Sequence, residues 1–277
     1  VGVETTGLIG AIHVTGSASV HPDLTILQSR VLCADSALAT SSVLSCVRAD
    51  DLDHARLAFS SFRSSTVGRN LQVITFQQTR DIALLNNALQ GRSVDSSSRI
   101  VVANGPELIR AASNSVSIQS ASNSYAGVFE LGEVDAMMFL NNATYGQSAQ
   151  TVWLFENSET LGTLVARNNH FHESGTPAMA FFAQRFNRGT VMSYDSASAT
   201  DFNTCSQQCQ DVGGNFGGDP LFVDHAAADF ALQGGSPLID AGVDATTFTT
   251  LPGLAFSFSA SRPQGSAWDV GAYEVAQ

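Results

Sequence analysis

Lysine is absent from this 277-residue chain; all thirteen basic residues are arginine. That removes Schiff-base chemistry, a lysine general base and lysine isopeptide crosslinks. Charged residues of any kind make up only 14% of the chain, and there are four cysteines. No apolar run approaches the roughly 18–20 residues that a membrane-spanning helix needs, so membrane insertion is not expected. The formal net charge of −12 repels phosphate backbones and argues against a nucleic-acid partner. That charge is local: residues 1–110 hold nine Arg against nine acidic groups, and residues 111–277 hold four against sixteen. An anionic polysaccharide is disfavoured by the second half unless calcium bridges the charges.

In place of charge the chain has a period. Pairs of small polar residues, Asn86-Asn87, Ser113-Asn114, Asn141-Asn142, Asn168-Asn169 and Asp195-Ser196, follow one another at 27, 28, 27 and 27 residues. Apolar residues keep step in three columns. Ile82, Ile109, Met137, Leu164 and Val191 precede the pairs, and Leu89, Val116, Thr144, Phe171 and Ser198 follow them. Ile74, Val101, Val128, Phe155 and Phe182 form the third column. Fixed self-similarity of this length marks a solenoid, in which each unit buries its apolar face only by stacking on the next. The apolar runs, such as Leu71 to Phe76 and Arg99 to Ala103, are too short for helices. The fold class is therefore all-β, a single-stranded parallel β-helix of about 27 residues per coil. Asn87, Asn114, Asn142 and Asn169 are expected to form an inward structural ladder, each amide bonding the coil above and below.

Residues 1–212 are read as the coils. The earliest are less regular, with Gln28-Ser29 and Ser60-Ser61 where later coils have their polar pair and an irregular loop near residues 33–46. Cys33 with Cys46, and Cys205 with Cys209, fall into two local pairs. Disulfides in an oxidising compartment are expected, and zinc is the competing reading, although two CxxC elements are lacking. The start at Val1 is that expected of a processed, secreted protein. No amphipathic helix covers the first coil, so an open end that invites another chain is expected.

Residues 213–277 are read as closing coils or a cap. They contain Gly217-Gly218-Asp219-Pro220-Leu221-Phe222-Val223-Asp224, Asp229-Phe230-Ala231-Leu232, Gly235-Ser236-Pro237-Leu238-Ile239-Asp240-Ala241-Gly242 and Trp268-Asp269-Val270-Gly271-Ala272-Tyr273-Glu274. This series resembles the closing segment of secreted bacterial right-handed parallel β-helix proteins, the pectate-lyase-like superfamily. The resemblance implies the fold and its right hand, and not an activity. Read residue by residue, Asp240 and Asp269 sit where a carboxylate accepts backbone N–H groups in a turn.

Chemistry has few candidates. Calcium could be held by Asp50, Asp51 and Asp53, or by Asp219 and Asp224, though neither set has the spacing of a recognised calcium loop. No other cofactor is implied. His170, His172 and Glu173 could bind a metal or act as acid and base; Phe171 lies in an inward column, which turns both histidines outward. Trp153 could stack on a sugar ring, so polysaccharide is a candidate partner. The expected function is a noncatalytic extracellular structural or surface protein, self-associating through its solenoid ends into a filament or sheath. The alternatives are a polysaccharide lyase or hydrolase and a carbohydrate-binding adhesin.

Overall fold

The computed structural model describes residues 2–6, 12–17, 22–34, 43–66, 70–94, 96–120, 126–148, 152–157, 161–174, 180–184, 192–193, 209–211, 214–244 and 265–275. Short β-forming runs wind into a solenoid of three sheets. Sheet I stacks Gly2–Thr6, Arg30–Ala34, Ser61–Thr66, Ala88–Ser93, Ser115–Ser120, Ala143–Ser148, His170–Glu173 and Phe216–Gly217. Sheet II runs from Ile12–Thr15 through Val43–Asp50, Asn70–Gln77, Ser98–Asn104, Ala126–Leu131, Val152–Asn157 and Ala180–Gln184 to Met192–Ser193. Sheet III stacks Asp23–Leu27, His54–Ala58, Asp81–Leu85, Leu108–Ala112, Val134–Leu140, Leu161–Arg167 and Cys209–Asp211. Pairing is parallel from coil to coil, except where Met192–Ser193 meets Ala180–Gln184 antiparallel. The chain visits sheets I, II and III in turn, so each strand's hydrogen-bonding partners lie one coil away.

The interior is filled by the expected columns. Ile82, Ile109 and Met137 are in direct register, as are Leu89, Val116, Thr144 and Phe171, and all seven are buried. The third column differs by one position: Val101 pairs with Phe129, not Val128, because that coil is one residue longer and the next one shorter. Phe129 stacks on Phe155 at 5.7 Å, and Phe139 meets both edge-on at 5.6 and 5.2 Å. Rings in these offset and edge-on arrangements fill the upper core better than aliphatic chains of the same count would. Cys33 and Cys46 form a disulfide with Cα atoms 5.8 Å apart. Both are buried in this core and join sheets I and II of one coil, and residues 35–42 of the expected irregular loop lie outside the described residues.

Sheet III passes to sheet I through a two-residue corner that repeats in every coil. Its first residue is left-handed: Gln28 (φ 47°), Phe59 (52°), Asn86 (53°), Ser113 (53°), Asn141 (50°), Asn168 (50°) and Gly214 (75°). The second residue points inward. Asn114 Oδ1 accepts from the backbone N–H of Asn87 at 3.0 Å, and Asn114 Nδ2 donates to Leu84 O at 2.9 Å and to Asn142 Oδ1 at 2.9 Å. Asn87, Asn142 and Asn169 repeat this pattern, so the expected ladder is present, beginning at Ser60 and ending at Asn215. Two expectations need correction here. The early pair is Phe59-Ser60, not Ser60-Ser61. The rung above Asn169 is Asn215, 46 residues on where the period expected 27, and Cys209 takes the register above Leu164 that the period assigned to Val191. Asp195, Ser196, Val191 and Cys205 lie outside the described residues.

Asn114→Ala removes an acceptor for one buried N–H and a donor to one buried carbonyl. It should lower the unfolding free energy by about 2–4 kcal/mol. Urea unfolding followed by circular dichroism reads this as a lower midpoint at unchanged slope, and an unchanged midpoint would remove the ladder from the stability argument.

Candidate functional site

Parity along His170–Glu173 separates the side chains that looked like one constellation. His172 is in register with Tyr145 on the outer face of sheet I. Glu173 is in register with Gly146 and, below it, Ile118 of the core, so it faces the interior. The histidines and Glu173 therefore cannot converge on one ligand across the sheet. The outer face itself is covered. After the last rung at Phe216–Gly217, the chain turns at Gly218 and crosses sheet I as a strand, a short 3-10 turn and an antiparallel strand, Phe222–Asp224, His225–Ala227 and Asp229–Leu232. Phe222, Phe230, Leu238 and Val270 pack on Ala88, Ala143 and Tyr145 of the sheet. Gln90 Nε2 donates to the carbonyls of His225 and Ala226 at 2.7 and 2.8 Å, and Arg63 donates to Ala227 O at 3.2 Å.

This covering fixes the histidine chemistry. His170 has no solvent exposure, donates from Nε2 to Gly218 O at 2.6 Å and meets the Phe216 ring edge-on. Burial pushes its pKa down to about 4 from an ordinary 6.5. His172 and His225 are also lowered by burial, with nearby Asp219 opposing the shift in both cases and Asp224 opposing it for His225. Tyr145 joins them, stacked on His225 at 3.7 Å, 5.4 Å from His172, and donating to Ser174 Oγ at 2.5 Å. The cluster is a packed seam between the sheet and the C-terminal segment. Glu173, half-buried, has both carboxylate oxygens without a hydrogen-bond partner among the described residues, and burial pushes its pKa up to about 7.

The aspartates proposed for calcium are engaged elsewhere. Asp50 pairs with Arg48 at 2.8 Å and His13 at 3.0 Å, Asp53 lies 3.5 Å from Arg80, and Asp51 occupies a left-handed turn position. Asp219 accepts from the N–H of Leu221 at 2.9 Å, and Asp224 accepts from that of Ala227 at 3.0 Å. Among the described residues, no group of three or more His, Cys, Asp or Glu side chains converges as a metal site. Trp153 is half-buried on sheet II, in register with Gly127 below and Ala180 above. Cys209 lies in a strand of sheet III, and its expected partner Cys205 falls outside the described residues.

The functional use of the first corner residue was not visible from the repeat. Asn141 holds the backbone of Val243 in the C-terminal segment through the two peptide groups that flank its Cα: Nδ2 donates to Val243 O at 2.6 Å, and Oδ1 accepts from Val243 N at 3.0 Å. Asn168 Nδ2 donates to Ala241 O at 2.8 Å. Asp269 and Asp240 clasp the same segment, as their turn positions implied. Asp269 accepts from the N–H groups of Asp240 and Val275, each at 2.7 Å, and Asp240 accepts from that of Ala267 at 2.8 Å.

The opposed pKa shifts predict opposite pH dependences. His170 binds a proton less readily folded than unfolded, so its contribution is complete above about pH 6.5 and is lost as pH falls toward 4, worth up to about 3 kcal/mol. His170→Gln keeps a donor for Gly218 O and should flatten the fall in melting temperature across that window; parallel curves would refute the assignment. Glu173 holds a proton more readily folded, so it destabilises progressively as pH rises from 4.5 through 7. Glu173→Gln should therefore stabilise at pH 8 and not at pH 4, by about 1 kcal/mol after allowance for solvent screening. Stabilisation at pH 4 would show that its carboxyl is not the cause.

Comparison with protein-family models, with curated proteins and with solved structures finds no match.

Proposed function

We propose that this chain is a noncatalytic extracellular structural or surface protein whose solenoid associates end to end. One observation carries the reading: the face of sheet I where His170, His172, His225 and Tyr145 gather is covered by the chain's own C-terminal segment. Groups that would otherwise suggest acid–base chemistry are spent on packing. A polysaccharide lyase or hydrolase acting through this face would need His170 to reach its substrate, and His170 is fully buried.

Self-association is supported by the ends of the sheets. Gly2–Thr6, Ile12–Thr15 and Asp23–Leu27 each have one strand neighbour among the described residues, so each carries an edge that no described strand pairs. Such edges are complemented by another coil. The opposite end differs, since sheet II finishes there in an antiparallel pair, and contact between unlike ends propagates as a filament. The Cys33–Cys46 disulfide supports export to an oxidising compartment. The C-terminal motif series supports a right-handed solenoid related to the bacterial pectate-lyase-like group.

Negative-stain microscopy of the purified chain across a concentration series should reveal rods that lengthen with concentration. Incubation with a panel of polysaccharides, with and without calcium, should release neither reducing ends nor unsaturated uronates. Rods of constant length at every concentration would overturn the assembly reading, and release of either product would overturn the noncatalytic one.

A further inference from the structure

Three imidazoles gather where the C-terminal segment crosses sheet I: His170 and His172 on the strand His170–Glu173, and His225 on the 3-10 turn that lies over the sheet. In two of these rings the existing bonds fix where acid would add a proton. His170 donates from Nε2 to Gly218 O, so its lone pair is on Nδ1, an atom that is buried with no hydrogen-bond partner among the described residues. His225 Nδ1 lies 3.3 Å from Gln119 Nε2; an amide nitrogen only donates, so Nδ1 is the acceptor. A proton added at either Nδ1 therefore meets no acceptor. In His170 it becomes a buried, unpaired donor on a charged ring, and in His225 it sets one donor against another. Both costs fall on the docked segment and vanish when it lifts off, because water then solvates the rings.

The groups that face the seam do not reverse this. Asp219 attracts a charge on any of the three rings and Asp224 a charge on His225, but burial outweighs them in each. A charge on His172 repels one on either neighbour. Asp229 of the crossing strand lies toward Tyr273, and Arg63 and Arg92, which the lower strands present on this face, add positive charge. Glu173 is on the opposite side of the sheet. The rest of the C-terminal segment is fastened differently. Asn141 and Asn168 hold Val243 and Ala241, Ser115 Oγ accepts from Ala272 N, and Trp268 packs on Met138, Leu140 and Val165; none of these contacts involves a histidine. We propose that Phe222–Leu232 is an acid-released cover: protons on His170 and His225 detach it from sheet I and uncover Ala88, Ala143 and Tyr145, while the bonds at Ala241, Val243 and Ala272 hold. The cover does not depend on end-to-end assembly, so its failure would leave that reading standing.

The test is hydrogen exchange of the full chain at pH 7.5 and pH 5, read by mass spectrometry as protection factors, which remove the intrinsic effect of pH on amide exchange. A hairpin as short as Phe222–Leu232 is marginal once detached, so its amides lose protection when it lifts. A ring whose pKa is about 4 when covered and 6.5 when released favours release roughly thirtyfold more at pH 5 than at pH 7.5. Protection within Phe222–Leu232 should therefore fall at least about tenfold, with peptides from 265–275 and from Ser115–Ser120 changing less than about twofold. The double variant His170→Gln, His225→Gln keeps a donor for Gly218 O and removes both titrating rings, so it should hold its protection at pH 5. If that variant is already unprotected at pH 7.5, His170→Gln alone should shrink the wild-type fall at least about threefold. An unchanged hairpin in the wild type, equal loss in all three regions, or an undiminished fall in a variant that is docked at pH 7.5 would overturn the proposal.

Discussion

The two-residue corner between sheets III and I is the constraint on which the rest of the structure depends. Turning the chain in so few residues requires one left-handed residue and leaves backbone groups of the next facing a dry interior. The inward amide answers both needs of that second position. Its oxygen accepts from the corner N–H of the coil below, and its nitrogen donates both to a sheet III carbonyl below and to the next amide above. Each asparagine thus ties together three successive coils. This is why the ladder stays in step across coils of different length, and why it resumes at Asn215 after 46 residues in place of the usual 27 or 28.

The same corner has an outer side, and the protein uses it to hold its own C-terminal segment. Asn141 and Asn168 bind the backbone at Val243 and Ala241, and the N–H of Gly271 donates to Asn141 O at 2.7 Å. At Gly271 only glycine fits: φ is 104°, and an added Cβ would lie 2.6 Å from Ser115 Oγ. Gly242 is as closely confined, since a Cβ there would meet Trp268 O at 2.7 Å. Close backbone approach lets Trp268 reach Met138, Leu140 and Val165 on the outside of sheet III, while Phe222 and Phe230 reach sheet I. The segment therefore clasps the solenoid along its side, and the burial of His170 follows from that clasp.

Much of this was legible because a solenoid interior repeats its demands. The Ile82 and Leu89 columns and the four ladder asparagines stand where the period put them, since each must touch its counterpart one coil away. The errors came where chain length changes without changing the stack. One extra residue in the coil before Phe129 moved the register off Val128, and the rung above Asn169 comes 46 residues on, at Asn215, where the period expected 27. The early pair was misread because a phenylalanine at the left-handed position breaks the residue pattern while preserving the geometry. The outward role of Asn141 and Asn168 had no separate signal, because one residue type serves the turn, the ladder and the clasp.

The functional misreadings share a cause, which is that chemistry-bearing residues were counted before anything said which face they occupied or what lay over it. His170 and Glu173 are three residues apart and on opposite sides of a sheet. The carboxylates that crowd the acidic half behave likewise. Asp219, Asp224, Asp229, Asp240 and Asp269 each accept a backbone N–H, which is local turn and clasp chemistry.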